Sequence, residues 1–93
     1  MLARYAADAA REVRGVDHLV GNALHRHEGV RIGREGDKTS VELHVALTWG
    51  ASAASVGALL QERVADTLER MAQVGPLSVD VVVDEFRPPA RAK

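Results

Sequence analysis

Thr39-Ser-Val-Glu-Leu-His-Val-Ala-Leu-Thr-Trp49, then Gly50-Ala-Ser52, an amphipathic run to Met71, and Leu77-Ser-Val-Asp-Val-Val-Val83 together decide the fold. The first run alternates strictly. Val41, Leu43, Val45, Leu47 and Trp49 point one way, and Glu42, His44, Ala46 and Thr48 the other, the period of a half-buried strand. Gly50-Ala51-Ser52 breaks it, and Ser52 is a good N-cap for the helix that follows. Val56, Leu59, Leu60, Val64, Leu68 and Met71 recur at helical spacing and form the face expected to be buried. Glu62, Arg63, Asp66, Glu69, Arg70 and Gln73 form the solvated face, with Asp66 and Arg70 a favourable i,i+4 pair. Gly75-Pro76 stops the helix. Leu77 to Val83 resumes the period of two, and this strand is expected to run to about Phe86. If the two strands are parallel, the helical crossover between them is right-handed.

Working outward, Leu2 to Arg14 is rich in alanine and other helix formers. Leu2, Ala6, Ala9 and Val13 would face the sheet, while Arg4, Asp8, Arg11 and Glu12 stay wet. Gly15 ends this helix, the usual role of glycine just past a C-terminus. Val16 to Val20 reads as a short strand, residues 21–29 as a polar loop, and Val30-Arg31-Ile32 as another short strand. Gly33 to Lys38 is a turn that would pair strand 30–33 with strand 39–49 as an antiparallel hairpin. The order α-β-β-β-α-β predicts an α+β two-layer sandwich, a small mixed sheet of about three or four strands with both helices on one face. Residues 1–87 would form one domain, and 88–93 a disordered basic tail.

At 93 residues the chain is near the lower end of self-sufficient domain size. Its apolar share comes mainly from Ala, Val and Leu, and Tyr5, Trp49 and Phe86 are the only aromatics. Such a core buries little area per residue, so self-association would add useful stability. A formal net charge of −1 argues against a field-driven binder of nucleic acid or anionic lipid. Without cysteine there is no disulfide framework and no thiolate chemistry. No apolar run approaches the roughly 20 residues that span a bilayer, and Met-Leu-Ala-Arg-Tyr-Ala-Ala-Asp8 lacks the apolar core of a signal peptide. The expectation is a cytoplasmic protein.

Candidate chemistry is sparse. His25 and His27 form an H-x-H pair that could share a metal ion, but the one further ligand nearby, Glu28, would point the other way on an extended segment, and a solvated loop accounts for them more simply. Gly33-Arg34-Glu35-Gly36 matches the G-x-x-G of phosphate-clamping KH loops. Glu35 and Asp37 would repel phosphate, and a hairpin turn explains the spacing better. Ser40, Ser52, Ser55 and Ser78 have no evident base. Asp80 and Asp84 are more simply an exposed strand face than a catalytic pair. No catalytic residue, cofactor, metal or small-molecule substrate is therefore expected, and the reading is of a non-enzyme. The strand face opposite Leu77, Val79, Val81 and Val83 would carry Asp80, Val82, Asp84 and Phe86 beside His44, Ala46 and Thr48. An apolar patch rimmed by charge suits a protein contact, and His44, Thr48, Val82, Asp84 and Phe86 are the candidate interaction residues. The competing expectation is that the N-terminal segment or the 21–29 loop covers that face.

Several stretches resemble the alkaline shock family of small bacterial stress proteins. Ala-Ala-Arg-Glu-Val-Arg-Gly-Val16 is similar to its opening helix and Val-x-Gly-Val step. Val41-Glu-Leu-His-Val-Ala-Leu-Thr-Trp-Gly50 resembles its central strand, with Trp49 where a tyrosine is usual. Val56 to Met71 looks like the family helix, and Val79-Asp-Val-Val-Val-Asp84 its final strand. The match spans nearly the whole chain, with departures between Gly15 and Gly29, at Pro76, and in the short N-terminus. The resemblance implies a non-enzymatic cytoplasmic scaffold linked to envelope stress, assembling as a homo-oligomer and docking on a small membrane-anchored protein. A nucleic-acid-binding module is the alternative class, distinguished by a steep salt dependence of binding.

Overall fold

In the computed structural model, which describes residues 2–21, 29–72 and 76–87, the alternating run Lys38–Thr48 is the central strand β3. It is preceded by α1 (Leu2–Arg11), β1 (Val16–Leu19) and β2 (Val30–Glu35), and followed by α2 (Ala53–Ala72) and β4 (Leu77–Arg87). The sheet is mixed. β4 lies parallel to β3 along one side, in register from Thr39↔Leu77 to Thr48↔Arg87. Along the other side, β1 and β2 both run antiparallel to β3, β1 beside Val45–Leu47 and β2 beside Lys38–Leu43. The expected α-β-β-β-α-β order and the hairpin are therefore present. Glu35 pairs with Lys38, so Gly36-Asp37 alone makes the turn and Gly33 lies within β2. That placement removes the phosphate-loop reading of the G-x-x-G, which needs a loop between helices.

β1 and β2 behave as one strand interrupted once. Val20 N donates to His44 O at 2.8 Å, and His44 N donates to Gly29 O at 2.8 Å. One residue would normally make both bonds; here two residues share the role, and residues 21–28 are inserted between them. The close approach demands glycine: Gly29 has φ +81°, and a Cβ there would sit 2.8 Å from both His44 O and Val20 O.

Both helices cover the same face of the sheet. Ala6, Ala7, Ala10 and Val13 from the first helical segment join Val56, Leu60, Val64 and Leu68 of α2 over Val30, Val41, Leu43, Val45, Leu47 and Val79. Each such Leu or Val side chain contributes roughly 1.5–3 kcal/mol by its burial. Three expected core positions are instead exposed. Leu59 (40%) lies outside the i,i+4 stripe 56-60-64-68, and Met71 (58%) follows Leu68, the last buried position of α2. Trp49 (62%) stands just beyond the end of β3, past the last buried core position on that strand, Leu47. In α1, Ala7 and Ala10 are buried rather than Ala9, which is half-buried with Leu2.

The ends of the helices follow ordinary rules. The last turn of the first helix tightens, with Glu12 N donating to Ala9 O and Val13 N to Ala10 O. Gly15 then takes φ +101°, and a Cβ on it would be 2.7 Å from Val56 Cγ2. Ser52 Oγ accepts from Ser55 N at 3.2 Å, the expected cap of α2. His25, His27 and the tail 88–93 lie outside the described residues.

Candidate functional site

β4 does not alternate to its end. Val83 pairs with Val45, but Glu85 rather than Asp84 pairs with Ala46, so Asp84 is an extra residue in a β-bulge. Phe86 consequently pairs with Leu47, and cross-strand partners share a face. Phe86 is thus on the side of the helices, not beside Val82 as strict alternation would have it. Of the five candidate residues, His44, Thr48, Val82 and Asp84 share the open face, and Phe86 does not. A signal was present: after Leu77, Val79, Val81 and Val83 on one face, the next apolar residue is Phe86, three positions on, with two acids in the gap.

The open face is held by histidine and carboxylate. His44 Nε2 meets Glu42 Oε2 at 2.5 Å, and its Nδ1 meets Asp84 Oδ2 at 3.0 Å. Ionised carboxylates only accept hydrogen bonds, so both contacts are complete only when both ring nitrogens carry protons. The imidazole is accordingly held above its ordinary pKa, chiefly by the Glu42 hydrogen bond, against partial desolvation and with help from Asp84. A second group lies beside it. His18 Nδ1 meets Asp17 Oδ2 at 2.7 Å and its Nε2 approaches Glu85 Oε2 at 3.6 Å. His18 and Glu85 both pair with Ala46, which is fully buried, and Arg87 Nη1 is 3.9 Å from Asp17. These contacts were not legible in the sequence, because they depend on the bulge and on β1 lying beside the upper half of β3.

On the helix side, a shallow groove of about 400 Å³ separates α2 from β4. Ala53, Ala54, Gly57, Ala58 and Gln61 form one wall, and Val81 and Val83 the floor. Val79 is buried, Val81 and Val83 are half-buried, and Phe86 is 39% exposed, so cover thins along the strand. Phe86 and Trp49 stand at the same end of the sheet, where Trp49 N donates to Arg87 O at 3.0 Å.

Among the described residues no three histidine or carboxylate side chains converge as a metal site. The two carboxylates at His44 engage opposite ring nitrogens, which does not gather donors around one ion. No described helix is long and apolar enough to cross a membrane.

Comparison with solved structures finds the same fold in the MamM CTD. Its copper form superposes with a TM-score of 0.62 at 15% identity, covering 99% of this chain and 89% of that one. A zinc form of a variant gives a TM-score of 0.59 at 16% identity, covering 90% and 84%. No curated protein matches the sequence. The whole α-β-β-β-α-β unit, residues 1–88, matches a single family, and the chain belongs to it: the Asp-23 family, of cell envelope-related function.

Proposed function

We propose that this chain is a non-enzymatic interaction domain of the cell envelope, with residues 1–87 acting as one unit that self-associates and docks on a membrane-anchored protein. It would be cytoplasmic and reach the membrane through that partner. The observation that carries this reading is the pair of aromatic side chains at one end of the sheet, Trp49 at 62% exposed and Phe86 at 39%. Two of the chain's three aromatics are thus on the surface of a small core. Exposed aromatics are the side chains most often found as energetic anchors of protein interfaces. The Trp49–Phe86 end is proposed for self-association, and the face of His44, Thr48, Val82 and Asp84 for the partner.

Sedimentation across a concentration series tests the first half. Phe86→Asp is expected to weaken assembly with an unchanged circular-dichroism spectrum; a lost spectrum would instead assign Phe86 to the core. Cross-linking a tagged copy at native expression level tests the second. Recovery of further copies of the chain together with a membrane protein is expected. Nucleic acid surviving high-salt washes, with neither of these, would overturn the reading.

A further inference from the structure

β4 is an edge strand of eleven residues, and no described strand lies along its outer side. Thr39 N donates to Pro76 O at 2.8 Å, which sets the direction of the backbone groups that follow. By alternation, the N–H and C=O groups of Val79, Val81 and Val83 turn away from β3 toward that outer side. Gln61 Nε2 already donates to Val79 O at 3.0 Å. Beyond it, the outward N–H and C=O groups of Val81 and Val83 meet no described strand, along the floor of the groove.

The two sides of this edge differ in chemistry. Toward α2 the groove is walled by small residues, and a Cβ on Gly57 would meet no atom within 4 Å. On the open face stand Asp80, Asp84 and Glu85, all exposed. Asp80 pairs directly with Glu42, a like-charge neighbour across the strands, although Arg31 pairs with Glu42 from the other side. Like charges directly opposite are unfavourable, and a cation placed beside them relieves the repulsion.

We infer that the β4 edge receives an extended segment of a partner protein in which apolar and basic residues alternate, the apolar ones entering the α2–β4 groove and the basic ones lying over Asp80, Asp84 and Glu85. This deepens the interaction-domain reading and rests on it. The mode is strand addition: main-chain bonds hold the segment, and the two faces select its side chains. A second copy of β4 is a poor occupant. Face-to-face continuity would bring its own Asp80, Asp84 and Glu85 beside the same three acids. The acids therefore discourage edge-to-edge pairing of copies while favouring a strand of opposite charge.

The probe is a synthetic peptide of about ten residues alternating valine and lysine, matched to a common strand length, with a valine–glutamate peptide as control. Amide resonances of the full chain are followed by NMR. The lysine peptide is expected to shift amides of Val79–Phe86 and Ala53–Gln61, and the glutamate peptide to leave them in place. Asp80→Lys and Gly57→Leu should each weaken binding about tenfold or more. Gly57→Leu adds a good helix former in open space, so its melting temperature should not fall; Asp80→Lys changes an exposed side chain and supplies the second variant. Equal binding of both peptides, shifts confined to β1 and β2, or no binding at millimolar peptide would overturn the inference. The same variants in the cross-linking experiment separate the two claims. If both still recover the membrane protein and further copies, the edge is not the docking site and the interaction-domain reading stands. If the peptide binds but wild-type chain recovers neither, the edge site stands and that reading falls.

Discussion

The two flanks of α2 are built from the same small residues and end up unlike. Toward α1, the alanines at 6, 7 and 10 of that helix are fully buried in the core that the two helices share. Toward β4, Ala53, Ala54, Gly57 and Ala58 also face a neighbour, but no second helix closes over them, and a groove remains. Small residues at a closed contact bring backbones together; the same residues beside an open edge leave room. The composition of a stretch therefore does not say whether it is a contact or a vacancy. The topology does, because the two helices cover a sheet that extends past them at β4.

The largest effect should come from the stripe that serves both flanks. Leu60→Ala, at a fully buried site, is expected to cost roughly 2–5 kcal/mol through the cavity it leaves. Chemical denaturation measures this, and a smaller loss would mean that α2 relaxes toward the groove. Next, the flanks can be set against each other by one change made twice. Ala7→Leu should destabilise by about 1–3 kcal/mol through overpacking, whereas Ala58→Leu should stay within about 0.5 kcal/mol of wild type. Equal costs would erase the distinction. Gly57→Ala is expected to stabilise by up to about 1 kcal/mol from helix propensity, since nothing obstructs the added methyl.

The smallest effect concerns the open face and pH. Because His44 is held above its ordinary value in the folded chain, its contribution is complete below the unfolded imidazole pKa near about 6.5. It is lost as pH rises through the higher folded value. Melting temperature should therefore decline on that rise, and His44→Asn should flatten the decline. Glu42 and Asp84 touch the ring, Arg31 and Asp80 flank Glu42, and His18 and Glu85 lie next along the face. A decline of equal steepness in the variant would separate it from His44.

Much of the architecture could be read in advance because alternation and helical spacing are local signals. The run from Val41 to Leu47 named its buried face correctly, and Val56, Leu60, Val64 and Leu68 named theirs. What failed lay at the ends of elements, where Trp49 and Met71 keep the period past the last buried position, and at Leu59, which lies outside the 56-60-64-68 stripe. The candidate surface was less legible. Its acids and histidines could be assigned to strands, but a single extra residue at Asp84 carried Phe86 to the opposite side. His18 gave no sign of meeting Glu85, since their proximity arises only once β1 and β4 flank the same stretch of β3.

The shared partnership of Val20 and Gly29 with His44 has a consequence for how this fold can vary. The segment between them starts and finishes at one rung of the sheet, so the ladder above and below does not depend on its length. Closing a longer loop costs little more than a short one, about 0.6 kcal/mol for each doubling. A graft made between Val20 and Gly29, whether an epitope, a binding peptide or a whole module, is accordingly expected to leave the ladder of β1 and β2 on β3 in place.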